Sequence, residues 1–391
     1  MIDPVVQPPS LPELTPEEMR RYSRHLLLPQ VGLEGQRRLK AASVVIVGVG
    51  GLGSAIAMYL AAAGVGRIGL VDDDVVDESN LQRQVIHGQS TLGELKVISA
   101  RQRMLDINPY ITVDVYPTRL TSNNAMEILR PYDIIVDGTD NIPTRYLLND
   151  AAVLLGKPYV YGSIYRFEGQ VSVFYAKEGP CYRCLFPEPP PPHLVPTCGQ
   201  GGVIGVLPGT IGTLQATEVI KLILGIGQPL IGRLLLYDAL DMSFDIVRVR
   251  KNPKCPVCGE RPTITTLQDY DAFCGLPSAE ARAEEARWEI GPRELAQWLA
   301  EERPVRVIDI REPHELAISR IPAAENVPYN RLLASYESWD RETPIVLVCR
   351  TGNRSAQAAR VLREAGFQHV WNLRGGINAW AREVDPSQPE Y

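Results

Sequence analysis

Two kinds of apolar pattern alternate along the chain. Short unbroken runs such as SVVIVG (43–48) have the length and β-branched content of strands covered on both faces. RIGLVDDD, and YDIIVDGTDN at 132–141, repeat that pattern. Between them lie helical stretches. SAIAMYLAAAGVG reads as a helix stopped by Gly64 and Gly66, and another lies near 122–130. Residues 16–40 read as helix, with Thr15 as its N-cap, Pro16 at the first helical position and Glu17 and Glu18 in the first turn. Strands alternating with helices predict an α/β fold with a mostly parallel, doubly wound sheet. QVSVFYA (170–176) and RLLLYDALDMSFDIVRVR (233–250) extend it with antiparallel strands. PEPPPPHLVP (187–196) lacks the backbone donors an interior element needs and reads as a loop or crossover.

After CPVCGE (255–260) the pattern becomes irregular, and 263–287 reads as a linker, partly helical. It separates a domain at 1–262 from a smaller α/β domain at 288–391, marked by RELAQWLAEE, VRVIDIRE, PIVLVC, SAQAARVLREAG and HVWNLRGG. A chain of 391 residues is long enough for two or three cores. With 45% hydrophobic and 22% charged residues it has the composition of a soluble globular protein. A net charge of −6 argues against a general nucleic-acid binder. No apolar run reaches the ~18 residues of a membrane helix, and the Pro-rich, acidic N-terminus does not read as a signal peptide. Seven cysteines, an odd number that includes two C-x-x-C pairs, suggest a reducing, cytoplasmic setting and a metal rather than a disulfide framework.

Gly48, Gly50 and Gly53 follow a strand and open a helix, as a dinucleotide-type phosphate loop requires. Asp72 ends the next strand, roughly ~20 residues on, where a ribose-binding acid is expected. A purely structural glycine turn is the alternative. ESNLQRQ (78–84) adds Asn80 and Arg83, GELKVISARQRML adds Lys96, and DGTDN places Asp140 and Asn141 beyond a third strand. Two cations to hold phosphate charge and a carboxylate able to hold Mg²⁺ suit phosphoryl or adenylyl transfer. Taken singly, Arg83 and Lys96 also fit solvated surface positions, and Asp140 fits the N-cap of the helix that follows.

Cys181 and Cys184 (CYRC) and Cys255 and Cys258 (CPVC) form two knuckles able to close a tetrahedral thiolate shell around Zn²⁺, a structural site with no open position. Free buried cysteines or a redox pair are the alternatives. Cys198, in VPTCGQGGVIGVLPG, sits among glycines in an accessible setting, though an inert core cysteine also fits. Cys274 carries no motif. Cys349 opens CRTGNRSA between a strand and a helix, with Arg350 and Arg354 nearby. Backbone N–H groups of such a loop, a helix N-terminus and two arginines favour a thiolate or persulfide anion. Cysteine phosphatases use a similar cradle, C-x-x-x-x-x-R, but here Ser355 holds the sixth place and Arg354 the fifth.

YSRHLLLP, GVGGLGS, DDDVVDESNLQRQ, DGTDN, FEGQVSVF and the paired C-x-x-C resemble the ubiquitin-activating-enzyme superfamily, most closely the MoeB/ThiF adenylyltransferases, over 22–259. VIDIREPHEL, RIPAAENVP, CRTGNRSA and LRGGINAW resemble a rhodanese. Ser319, Arg320 and Ala323 stand where that pattern has Gly, His and Gly, but the cysteine loop is intact. The whole resembles an adenylyltransferase–sulfurtransferase fusion of the MoeZ type, a Rossmann-like mixed sheet followed by a rhodanese domain. The resemblance implies ATP rather than NAD. It puts Gly51 and Asp72 on the adenosine side, and Ser79, Asn80, Leu81, Gln82, Arg83 and Lys96 against ribose and phosphates. Asp140 would hold Mg²⁺ with Asn141 beside it, and Arg24 would reach the ATP of a neighbouring subunit, which implies a homodimer. Cys198 becomes a nucleophile for the activated acyl group. The expected partners are a ubiquitin-like sulfur carrier of MoaD, ThiS or CysO type and a sulfur donor such as a cysteine desulfurase or thiosulfate. The residues leave open molybdenum cofactor, thiamine, cysteine or tRNA thiolation. The rival readings are a nicotinamide-dependent oxidoreductase with a rhodanese-like module and a non-catalytic, nucleotide-gated scaffold.

Overall fold

Strand β1 (Ser43–Val47) shows why the apolar runs have no alternation. Val44 and Ile46 enter one core and Val45 and Val47 another, so both faces of the strand are dry. The computed structural model describes residues 3–191, 201–276 and 286–391, and contacts divide it into one unit ending at Cys274 and a second beginning at Gly275.

In the first unit, β1 is followed by β2 (Arg67–Val71), β3 (Thr112–Tyr116), β4 (Ile134–Asp137), β5 (Tyr159–Tyr165), β6 (Glu168–Phe174), β7 (Arg233–Asp238) and β8 (Ser243–Arg248). Their order is β3-β2-β1-β4-β5-β6-β7-β8, parallel through β5 and antiparallel beyond it. The chain builds outward from β1 to β3, then returns to lay β4 on the other side of β1. That reversal leaves a crevice at the carboxyl ends of β1 and β4. Helices Gly51–Ala63 and Val206–Leu224 cover one face, with Ile56, Leu60, Ile211 and Leu222 in the core. Helix Ile142–Leu155 covers the other through Tyr146, Leu148 and Ala151.

The expected helix over 16–40 is three helices, Pro16–Arg21, Ser23–Leu26 and Gly32–Ala41. Its start is as expected: Thr15 and Glu18 form a reciprocal capping box. The break follows from Pro29, which has no N–H to donate, and Gly32, whose φ is +55°. Residues beyond the second knuckle return to this unit. Tyr270 Oη donates to Asp150 Oδ2 at 2.8 Å, and Arg183 makes two 2.8 Å bonds to the same buried carboxylate.

The second unit is a parallel sheet of β9 (Glu289–Ile290), β10 (Arg306–Asp309), β11 (Glu325–Asn326), β12 (Ile345–Val348) and β13 (Val370–Leu373) in the order β11-β10-β12-β13-β9. Helices Pro292–Ala300 and Gly376–Glu383 pack on one face with Val346 and Val348. Helix Asn353–Glu364 packs on the other with Ile345 and Leu347. Among the described residues, no helix is long and apolar enough to cross a membrane.

Candidate functional site

The crevice between β1 and β4 opens into a cleft of about 450 Å³. Its floor depends on glycine. Gly48 has a φ of +89°, and a Cβ there would lie 2.7 Å from the Gly138 carbonyl. A Cβ on Gly53 would sit 2.1 Å from the Gly48 oxygen, and one on Gly51 2.9 Å from Pro208. Gly50 has space around it and faces the cleft. The strand and helix thus approach closely, and the first turn of helix Gly51–Ala63 presents its N-terminus to the cleft.

Gly48, Gly50, Gly51, Asp72, Asn80, Arg83, Lys96, Asp140 and Asn141 all line this cleft. Asp72 Oδ2 accepts from Val49 N at 2.7 Å and Oδ1 from Asp74 N at 2.9 Å, which ties the end of β2 to the glycine loop. Burial pushes the Asp72 carboxyl above its ordinary value, against the opposing pull of Lys96. Lys96 is largely buried, with Nζ 2.8 Å from Asp74. Arg83 Nη1 donates to Ser79 O at 2.9 Å, and Ser79 is itself held by Asp77. Asp140 is exposed on the cleft wall. The helix cap is Asn141, whose Oδ1 accepts from Thr144 N at 3.0 Å, so the capping alternative for Asp140 is replaced by its neighbour.

Gly53, Ser79, Leu81 and Gln82 are not on the cleft surface, and neither is Arg24, which is exposed on helix Ser23–Leu26 beside exposed Leu27 and Leu28. Sequence reading missed Gln84, Thr118 and Arg119 on the wall. Arg119 follows β3, a strand whose pattern was not singled out.

The two C-x-x-C pairs converge although a long stretch of chain separates them. Sγ separations are 3.9 Å for Cys181–Cys184, 3.5 Å for Cys181–Cys255 and 3.4 Å for Cys184–Cys258, and all four sulfurs lie within 4.8 Å of one another. A tetrahedron of ~2.3 Å Zn–S bonds has edges of about 3.8 Å, so the donor set fits zinc. Asn252 N also donates to Cys184 Sγ at 3.3 Å. Cys198 lies outside the described residues. Cys274 is buried, and burial pushes its thiol up to about 11, which makes it an inert core cysteine.

In the second unit Cys349 follows β12 and is buried. Gly352 N donates to its Sγ at 3.2 Å, with Gly352 at a φ of +91°. Ser355 Oγ lies 3.2 Å from Sγ, 3.1 Å from Gly352 O and 2.6 Å from Asn372 Oδ1, so its one proton is shared among three acceptors. Ile377 N and Asn378 N bond the carbonyls of Cys349 and Arg350, which braces the loop from behind. Arg354 is near enough to interact with the charge of Cys349 but makes no hydrogen bond to its sulfur. It pairs with Glu315 at 2.9 Å, and hydrogen bonding to the sulfur comes from Gly352 and Ser355. Ser355 was legible only as the residue six beyond the cysteine.

Fold and site define the class first: a doubly wound nucleotide-type domain with a four-cysteine cluster, joined to a parallel α/β domain that cradles one cysteine at a strand–helix turn. Residues 22–257 match the ThiF family and residues 291–383 the rhodanese-like domain. The chain belongs to the ThiF family and carries a C-terminal rhodanese-like domain. It is 49% identical over its whole length to 99% of a protein named probable adenylyltransferase/sulfurtransferase MoeZ from Mycobacterium tuberculosis. A sulfur carrier protein adenylyltransferase of Thermus thermophilus is 60% identical over 67% of this chain and 98% of its own length. Adenylyltransferase and sulfurtransferase MOCS3 of Drosophila ananassae is 43% identical over 97% of this chain and 87% of its own. A solved structure of E. coli MccB superposes with a TM-score of 0.55 at 22% identity, covering 62% of this chain and 75% of that one, and shows the same fold. The chain is an enzyme of the adenylyltransferase–sulfurtransferase type.

Proposed function

We propose that the first unit adenylates the C-terminal glycine of a ubiquitin-like sulfur carrier of MoaD, ThiS or CysO type, and that Cys349 then supplies the sulfur. The carrying observation is the pairing, on one chain, of a glycine-floored cleft lined by Arg83, Lys96 and Asp140 with a cysteine cradled at a strand–helix turn. A carrier carboxylate oxygen attacks the α-phosphorus of ATP, and pyrophosphate leaves with the bonding pair. Arg83 and Lys96 balance the developing phosphate charge, while the glycine loop and helix N-terminus orient it. Asp140 would hold Mg²⁺, which neutralises phosphate charge when bound. Gly51 and Asp72 would lie on the adenosine side, Asn80 against ribose and phosphates, and Asn141 beside Asp140. Arg24, exposed and away from its own cleft, suits a contribution to the cleft of a second copy in a homodimer.

Cys349, loaded as a persulfide by a donor such as thiosulfate or a cysteine desulfurase, attacks the acyl carbon with its terminal sulfur, and AMP leaves. A thiol then attacks Cys349 Sγ, the S–S bond breaks towards the carrier, and the thiocarboxylate departs. Cys198 would serve as that thiol or as an intermediate thioester. Cys181, Cys184, Cys255 and Cys258 would hold Zn²⁺ as a closed structural site.

The test is carrier-dependent ATP–pyrophosphate exchange together with the mass of the carrier after incubation with ATP, Mg²⁺ and a sulfur donor. Oxygen-to-sulfur exchange adds about sixteen mass units. Cys349→Ala should retain exchange and give no thiocarboxylate. Absence of exchange in the wild-type protein would favour the oxidoreductase or scaffold, and full thiocarboxylate yield from Cys349→Ala would remove Cys349 from the reaction.

A further inference from the structure

The last residues of the chain pack onto the cysteine loop, and sequence motifs say nothing about them. Asn378 holds the Tyr391 backbone from both sides, donating from Nδ2 to Tyr391 O at 2.9 Å and accepting from Tyr391 N at 3.3 Å. Asn378 N in turn bonds the Arg350 carbonyl at 3.1 Å, inside the cysteine loop. The Tyr391 ring centre is 5.8 Å from the Arg350 guanidinium carbon. Its hydroxyl accepts from Arg311 Nη1 at 2.7 Å and donates to Glu315 Oε1 at 3.2 Å. Glu315 Oε1 is the same oxygen that holds Arg354 Nη2 at 2.9 Å. Arg311 is rigid, being fully buried and paired with Asp309 at 2.6 Å.

Tyr391 and Arg354 therefore donate together to one carboxylate oxygen, and each bond weakens the other. A phenol donating to Glu315 draws electron density from the Glu315–Arg354 pair. Without that donor, Glu315 holds the arginine more firmly, and less of its charge is free for an anion arriving at Cys349. We propose that Tyr391 is a positioning residue of the sulfur-transfer site, acting through Glu315 to keep the Arg354 guanidinium available to the anionic sulfur donor. The proposal rests on the reading of Cys349 as the sulfur-carrying residue.

The test uses the full chain with thiosulfate and cyanide. Cys349 thiolate attacks the outer sulfur of thiosulfate, sulfite leaves with the S–S bonding pair, and a Cys349 persulfide forms. Cyanide then takes the outer sulfur as thiocyanate and the thiolate returns. Tyr391→Phe removes only the hydroxyl and keeps the ring. The expected result is a KM for thiosulfate raised about three- to tenfold, with kcat within about twofold and Tm lowered by no more than a few degrees, because Arg311 loses one acceptor. Glu315→Gln removes the charge that captures Arg354, so adding it to Tyr391→Phe should erase most of the KM rise, a coupling that a purely structural tail would not show. Wild-type KM in Tyr391→Phe overturns the proposal. So does a kcat loss that follows a lowered Tm, or a KM rise that Glu315→Gln leaves intact. Turnover by Cys349→Ala would overturn the underlying reading instead, so the two failures are distinguishable.

Discussion

Asp140 and Asn141 are adjacent, both polar and both at the cleft, yet they do different work. Asn141 is committed to the helix it caps, whereas Asp140 stands exposed on the cleft wall. Asp140→Ala should leave Tm near that of the wild type and abolish carrier-dependent pyrophosphate exchange. Asn141→Ala should cost about 1 kcal/mol of stability, read by urea unfolding, because a cap accepting a backbone N–H is lost. Exchange retained in a folded Asp140→Ala protein would remove that carboxylate from the chemistry. Similar reasoning applies at the sulfur loop, where Gly352 and Ser355 rather than Arg354 contact Sγ directly. The sequence places cations near the cysteine. The aim of Arg354 depends on Glu315, which no local pattern reveals.

At the scale of elements, the cleft depends on how its loop is fastened to neighbouring helices. His87 is buried, with Nε2 3.1 Å from the Val49 carbonyl and Nδ1 2.9 Å from Ser99 Oγ on helix Lys96–Ile107. Nε2 donates to the carbonyl, and burial favours the neutral ring. Burial holds its pKa below the ordinary histidine value, opposed by the Val49 bond and reinforced by Lys96. The folded protein therefore disfavours the protonated ring. The stabilisation is fully present above the unfolded pKa of ~6.5 and is lost as pH falls from there through the depressed folded pKa. Tm measured from pH 7.5 down to about 5 should fall more steeply for the wild type than for His87→Gln, which cannot titrate. Parallel curves would show that the ring does not report on folding.

The knuckles are a second fastening. Cys184 and Cys258 bring together the segments after β6 and β8, and the Arg183–Asp150 pair ties the same segment to the helix capped at the cleft. Cys255→Ser should lose one bound zinc per chain and lower Tm by several degrees, because metal binding by four thiolates contributes folding free energy. Metal analysis of freshly purified protein without zinc would reject this assignment.

On the scale of the whole molecule, the glycine-floored cleft and the cradled Cys349 belong to separate units with separate cores. Asp140→Ala should accordingly keep thiosulfate:cyanide sulfur transfer within about twofold of the wild-type rate, because its effect is electrostatic and local to the cleft. A proportional loss of both activities in a folded variant would contradict two independent sites.

By itself the sequence determined what is local. Apolar period marked most sheet strands, glycine spacing marked the tight turn after β1, C-x-x-C spacing marked the knuckles, and a cysteine between strand and helix marked the loop after β12. Each is written within a few consecutive residues, because backbone conformation and side-chain spacing are set there. Strand β5 (Tyr159–Tyr165) is absent from the sequence reading. Its Gly162 interrupts the apolar run to admit Gln215, whose Nε2 donates to the Asp137 carbonyl at 2.7 Å. Only the tertiary structure decided that Asn141 rather than Asp140 caps a helix and that Asp72 bends back to hold Val49. It also decided that Glu315 captures Arg354 and that Tyr391 reaches them both. These choices turn on which groups meet after the chain has folded. Charge and hydrogen bonding act over a few ångströms in space, and residues distant along the chain leave no periodic mark of that meeting.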